Sequence, residues 1–295
     1  MTRILSTYLF VKRKLTPALV AEIAASRVSA VEPFCGRSHF DYRSADVVKE
    51  LASALSDNNL TVHAVHAPAE RDFGSSRDSS VPLSICDPDR SRRLEAVDEV
   101  KRALDLAEDI SFSYLVQHLG SSRDPNDPRL FEAAYNSLEH LRIFAKQRGV
   151  TIALENTPGE LATPANLRQF LAETRLTDVR LCFDIGHAHL GDGVAKSFEI
   201  MRDLVVTAHI HDNHGLKDEH LAPYEVSADD GKPTGASGSI DWKAALAELK
   251  STPLVFELKE QPAWAEPTPA SVSLDVARKA FDRVEEELDA AHGAA

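Results

Sequence analysis

The chain has 295 residues, 43% of them apolar and 27% charged, with a formal net charge of −13. That length suits one α/β barrel of about 250 residues or two average domains, and the composition is that of a globular chain with ample core material. The acidic balance repels a phosphate backbone and sets nucleic acid behind small molecules as a partner. Three cysteines without CxxC spacing (Cys35, Cys86, Cys182) read as reduced thiols of a cytoplasmic protein rather than a disulfide framework.

Short apolar runs alternate with amphipathic stretches along the whole chain. The opening "RILSTYLF" is far short of the ~18 apolar residues of a membrane span and reads as a first strand, so no membrane partner is expected. The further strands are "SAVEPF", "LTVHAVHA", "SYLVQHLG", "VTIALEN", "VRLCFDI", "VVTAHIHD" and "LVFELKE". Between them lie the helical patterns "TPALVAEIAAS", "SADVVKELASALSD", "RLEAVDEVKRALDLAED", "PRLFEAAYNSLEHLRIFAKQRG", "TPANLRQFLAET", "VAKSFEIMRDL" and "IDWKAALAELK". Several open on Ser, Thr, Asp or Pro, as helix N-termini prefer. Eight strands alternating with helices specify a parallel sheet closed into a (β/α)8 TIM barrel, one domain over residues 1–290 with a short tail at 291–295. Two polar, turn-rich stretches, one after the third strand and one after the seventh, are long for such a barrel and read as binding loops.

Barrel active sites gather at the C-terminal ends of the strands. The third strand ends in His66, the fourth in His118, the fifth in Glu155, the sixth in Asp184 with His187, the seventh in His211 and the eighth in Glu257. One histidine at a strand end is ordinary, and Glu257 alone reads equally as a solvated edge residue. Six successive strand ends bearing carboxylates or imidazoles converge on one opening and point to a metal site. Glu155 and Asp184 follow buried-looking runs, where a carboxylate is costly unless paired or ligating. Histidine, aspartate and glutamate without cysteine suit zinc, manganese, cobalt or iron, and the carboxylates shift the balance to manganese or cobalt. His189 reads as a substrate contact or a support for a ligand. His209 shares the strand face of His211 one step deeper and reads as a support or as interior packing. His39, His63, His140, His214 and His292 read as ordinary histidines.

In order along the chain, "VHAP", "QHLG", "LENTPG", "FDIGHA", "HIHDNHG" with "DEH", "GSIDW" and "FEL" resemble the xylose-isomerase-like barrel superfamily. It holds sugar and sugar-phosphate isomerases and epimerases beside the endonuclease IV group of DNA-repair enzymes. The resemblance implies a central Mn²⁺, Co²⁺ or Mg²⁺ held by Glu155, Asp184, His211 and Glu257. It also implies that Glu155 and Glu257 act as base and acid on a sugar or sugar phosphate next to a metal-polarised carbonyl, with His187 positioning the substrate or supporting a ligand. The endonuclease IV alternative, a phosphodiesterase with a Zn²⁺ cluster, adds His66, His118, His187, Asp218 and His220 as ligands. Against it stand the acidic surface and the scarcity of basic side chains near the site, with Lys217, Lys232 and Lys259 the lysines in question. A barrel that binds a sugar and catalyses nothing is a third reading. The chain departs from the superfamily pattern by an insertion at 221–238 that would cover the barrel mouth. Within it "GASG" (Gly235 to Gly238) is a short candidate anion-binding turn. Barrels of this kind often pair through helices and mouth loops, so a homo-oligomer is among the expected assemblies.

Overall fold

The computed structural model describes residues 1–71, 81–224, 238–260 and 270–293. Its strands are β1 (Ile4–Ser6), β2 (Ala30–Glu32), β3 (Thr61–Val62), β4 (Ala64–His66), β5 (Tyr114–His118), β6 (Thr151–Glu155), β7 (Arg180–Asp184), β8 (Val205–Ile210) and β9 (Leu254–Phe256). All pair in parallel, in the order β3-β2-β1-β9-β8-β7-β6-β5-β4. The two ends of that order are halves of one predicted strand, separated only by His63. His63 N donates to Val31 O at 3.0 Å, and Ser113 N donates to His63 O at 3.2 Å, so both ladders run across the break. The ring closes there, and the nine segments are the eight staves of the (β/α)8 barrel that the alternation predicts.

Two packed layers hold the ring. Inside it sit Ala64, Val116, Ala153 and Cys182 with Ile4, Ala30 and Val255, mostly small to medium side chains and all buried. Outside it, larger ones such as Leu5, Val31, Leu115, Leu154, Phe183 and Phe256 meet the helices in one continuous core. Strands apolar on both faces are what a helix-covered parallel sheet requires. Of the helices α1 (Pro17–Ala25), α2 (Ala45–Asp57), α3 (Arg90–Asp105), α4 (Pro128–Gln147) and α5 (Pro164–Thr174), all but α3 begin where the sequence marks them, and α3 begins three residues before the expected pattern. Thr16, Ser44, Asp89, Asp127 and Thr163 each accept a hydrogen bond from a backbone N–H of the first turn.

Two helices differ from the sequence expectation. The short α6 (Ile185–Leu190) starts at once after β7, because the Asp184 carboxylate accepts from His187 N at 2.6 Å and caps it. His187 therefore stands on a helical turn and not on the strand. Following α7 (Val194–Met201) and α8 (Trp242–Glu248), α9 (Ala270–Gly293) is a helix absent from the expected set. Leu274, Ala277, Phe281, Val284 and Leu288 bury one face of it, with the Phe256 and Phe281 rings 4.0 Å apart. Arg3, just before β1, bonds Asp282 at 2.6 Å and also Glu285, fastening the start of the chain to α9. Both long loops lie partly outside the described residues. Lys232 and the start of the "GASG" turn lie outside the described residues.

Candidate metal centre

The polar strand ends meet on the floor of a cavity of about 590 Å³ at the barrel mouth, lined by Tyr8, Phe34, His66, His118, Glu155, His187, Asp218, His220 and Glu257 among others. Glu155 and Asp184 are 0% exposed, and Glu257 is 4% exposed. Backbone geometry explains how two carboxylates come to be aimed together at such depth. Asn156, next to Glu155, accepts from Asp184 N at 2.8 Å and donates to Asp184 O at 2.9 Å, stapling the end of β6 to the end of β7. The sequence reading did not single out Asn156, although it stands in the "LEN" motif.

Ligand-type atoms fall into three groups. The first is Glu155, Asp184, His209 and Glu257, every member buried. His209 Nδ1 stands 3.4 Å from Glu155 Oε1, 3.3 Å from Glu257 Oε2 and 3.7 Å from Asp184 Oδ2. His66, His118 and Glu155 form the second group, with the two Nε2 atoms 3.4 and 3.1 Å from Glu155 Oε2. The third is His187, His211, Asp218 and His220, in which Asp218 Oδ2 lies 3.3 Å from His187 Nε2 and 3.2 Å from His220 Nε2. Every candidate ligand read from the sequence is thus in the centre, but His209 rather than His211 joins the central carboxylates. His211 Nε2 instead lies 3.1 Å from both oxygens of Asp184, and its ring stacks on His220. His189 turns away to Ser239 Oγ at 2.8 Å, on the return of the long loop. Of the lysines weighed from sequence, Lys217 lines the cavity.

Several rings are held from behind. His66 Nδ1 is paired with Ala67 O at 2.8 Å, His187 Nδ1 with Asn156 O at 2.9 Å and His220 Nδ1 with Glu257 O at 2.8 Å. Each pairing fixes which nitrogen carries its proton toward the backbone and leaves the other facing a carboxylate, the arrangement metal-binding histidines use. Glu155 Oε1, His209 Nδ1 and His211 Nδ1 are buried polar atoms without a hydrogen-bond partner. Orphans of this kind are costly, and a cation among the carboxylates would satisfy the first two. The donor set of carboxylate oxygen and imidazole nitrogen fits a divalent first-row ion or magnesium.

The charges are strongly coupled. Burial pushes the Glu155 carboxyl up, yet the imidazoles of His209 and His118, the latter hydrogen-bonded to Oε2, with His187 close by, hold it well below the usual range. The same opposition lowers Glu257, where His209 outweighs burial and the nearby Glu155 charge. Glu32, at the end of β2, is a buried carboxylate that sequence reading missed; it faces His209 from below at 3.1 and 3.3 Å.

Close packing explains two glycines of the motifs. A Cβ on Gly186 of "FDIGHA" would sit 2.0 Å from His211 Cε1, and one on Gly238 of "GSIDW" would sit 2.0 Å from Asp212 Oδ1. Asp212 in turn accepts from Trp242 Nε1 at 2.7 Å, which ties the loop after β8 to α8.

The sequence model of the xylose isomerase-like TIM barrel family matches residues 20–291, and the chain belongs to that family. The uncharacterized protein y4fM of Sinorhizobium fredii is 28% identical over 242 residues, which cover 73% of this chain and 72% of that one. Among solved structures, a D-tagatose 3-epimerase-like protein superposes with a TM-score of 0.75 at 21% identity, over 100% of this chain and 99% of its own. An L-ribulose 3-epimerase does so with a TM-score of 0.74 at 16% identity, over 99% and 96%. At such identities the likeness is one of fold, and fold alone does not select a reaction. Among the described residues, no helix is long and apolar enough to cross a membrane.

Proposed function

We propose that the protein is a divalent-metal-dependent isomerase or epimerase acting on a sugar or sugar phosphate by proton transfer next to a carbonyl. The observation that carries the reading is the buried group of Glu155, Asp184, His209 and Glu257 beneath the cavity, with unpartnered Glu155 Oε1 and His209 Nδ1 inside it. These four residues would hold the ion, whose charge, when bound, acidifies a C–H beside a carbonyl. Glu155, kept ionised by its imidazole neighbours, is suited to take that proton. Glu257, which also reaches the cavity, would return a proton to the substrate after taking one up from solvent, since the resting carboxylate is ionised. Tyr8 and Phe34 offer ring faces to an apolar sugar face, and Ser84, Ser121, Ser122 and Thr157 offer hydroxyls. His187, pinned by Asn156 O, orients the substrate or supports Asp184.

The test is solvent deuterium exchange into a panel of keto-sugars by protein loaded with Mn²⁺, Co²⁺ or Mg²⁺. Glu155→Gln and Glu257→Gln should each lower exchange by about 10²- to 10⁴-fold, with metal content measured in both because each side chain is also a ligand. Full exchange in both variants would remove the two-glutamate mechanism.

The other two groups favour a second reading, a zinc-cluster phosphodiesterase in which His66, His118, His187, His211, Asp218 and His220 are ligands as well. It calls for two or three Zn²⁺ per chain and nicking of abasic duplex DNA that His66→Ala abolishes. Among the described residues lining the cavity, Lys217 is the one lysine or arginine, which suits a small polyol better than a bent duplex.

A further inference from the structure

Glu32 takes no part in that chemistry. It ends β2, is 0% exposed, and is not among the residues lining the cavity. A carboxylate at that depth is costly unless something answers it. Among the described residues no lysine or arginine pairs with it, and its partner is the ring of His209, on β8 and 177 positions away. One Glu32 oxygen accepts from His209 Nε2 at 3.3 Å, and the other stands 3.1 Å from the same nitrogen. On the opposite edge of the ring, Nδ1 has no hydrogen bond and faces Glu155, Glu257 and Asp184 at 3.3–3.7 Å. The ring thus stands between one carboxylate below and three above.

We infer that Glu32 is the positioning residue for His209. By accepting the Nε2 proton it fixes the neutral ring in the tautomer whose Nδ1 lone pair points among Glu155, Asp184 and Glu257, so that His209 joins a bound ion through Nδ1. Carboxylates that orient a ligating imidazole in this way also raise its basicity. The inference rests on the metal-holding part of the proposed function and on no particular substrate.

Nitrogen-15 spectra of histidine-labelled wild-type protein loaded with Zn²⁺ provide the direct test. The His209 signal should show a protonated Nε2 and a metal-bound Nδ1. Glu32→Gln keeps the shape but offers a donor beside its acceptor, so it no longer dictates the tautomer. Its Zn²⁺ dissociation constant, measured against a chromophoric chelator, should weaken by about 10- to 100-fold. Glu32→Asp, which restores the carboxylate on a shorter stem, should recover part of that loss. Zinc bound through Nε2, or unchanged affinity in Glu32→Gln, overturns this inference alone. A wild-type protein that takes up no ion overturns the proposed function and this inference together.

Discussion

Four imidazoles of the centre, those of His66, His187, His209 and His220, are buried, which by itself pulls an imidazole down. The groups facing them, Cys182 ahead of the carboxylates for His209 and the carboxylates alone for the other three, reverse the sign and raise all four. Glu155, Asp218 and Glu257 mirror this, pushed up by burial and held below the ordinary range by the imidazoles. Without an ion, the raised histidines stabilise the fold below about pH 6.5 and lose that contribution as pH rises through their folded values. The depressed carboxylates contribute above about pH 4 and lose it as pH falls through theirs. Both contributions are therefore complete between about pH 4.5 and 6.5. Metal uptake needs neutral imidazoles and must expel protons. Titration calorimetry with Zn²⁺ or Mn²⁺ at pH 6, in two buffers of different ionisation enthalpy, should report about one or more protons released per ion, and affinity should rise toward pH 8. Affinity that is flat over this range would contradict the coupling. At this scale the sequence is legible where a carboxylate ends a buried run, as Glu155 and Asp184 do. It does not distinguish His209 from His211, because residues two apart on a strand share a face and only depth separates them. Glu32 in "SAVEPF" carries no local signal, because its partner His209 is 177 positions away and meets it only when the barrel closes.

Among the elements, α6 illustrates how a cap can also be a candidate ligand. One Asp184 oxygen starts the helix at His187 N, while the other approaches His209 and His211. Six residues are too few for a helical period to appear in sequence, so the helix goes unread although its capping aspartate is conspicuous. Its second residue, Gly186, is set by packing: an added Cβ would lie 2.0 to 2.7 Å from three atoms of the His211 ring. Gly186→Ala should therefore displace His211 from Asp184 and cost about 1–3 kcal/mol through overpacking. Thermal unfolding and metal content measured on the same preparation check this, and a variant equal to wild type in both would show that the ring has room to move. The omission of α9 has a different origin. Its period is plain in Leu274, Ala277, Phe281, Val284 and Leu288, but nothing local shows that it covers the last strand, a role that comes from Phe256 and Arg3.

At the scale of the whole molecule, the alternation of strands and helices was enough to read the barrel, because closure and strand direction follow from connection rules rather than from particular residues. The centre exists only through that closure, since its candidate ligands come from strand ends and the loops that follow them, from His66 to Glu257, and their carboxylates crowd together in a low-dielectric interior. An ion that binds the folded chain alone stabilises it by mass action, by about 4 kcal/mol when free ion is a thousandfold above Kd. For a chain of this size each kcal/mol raises Tm by roughly 2 °C, so saturating metal should raise it by about 8 °C, and a chelator should reverse the shift. Asp184→Ala removes an acceptor common to the central group, the α6 cap and His211, and should abolish most of the metal-induced shift while lowering Tm in the chelated state. Scanning calorimetry with metal analysis distinguishes the possibilities. A shift saturating at one ion per chain supports the single central site. A shift that continues to grow to two or three Zn²⁺ means that the His66–His118 and His187–Asp218–His220 groups also take metal, and hydrolysis of phosphodiesters becomes the stronger reading.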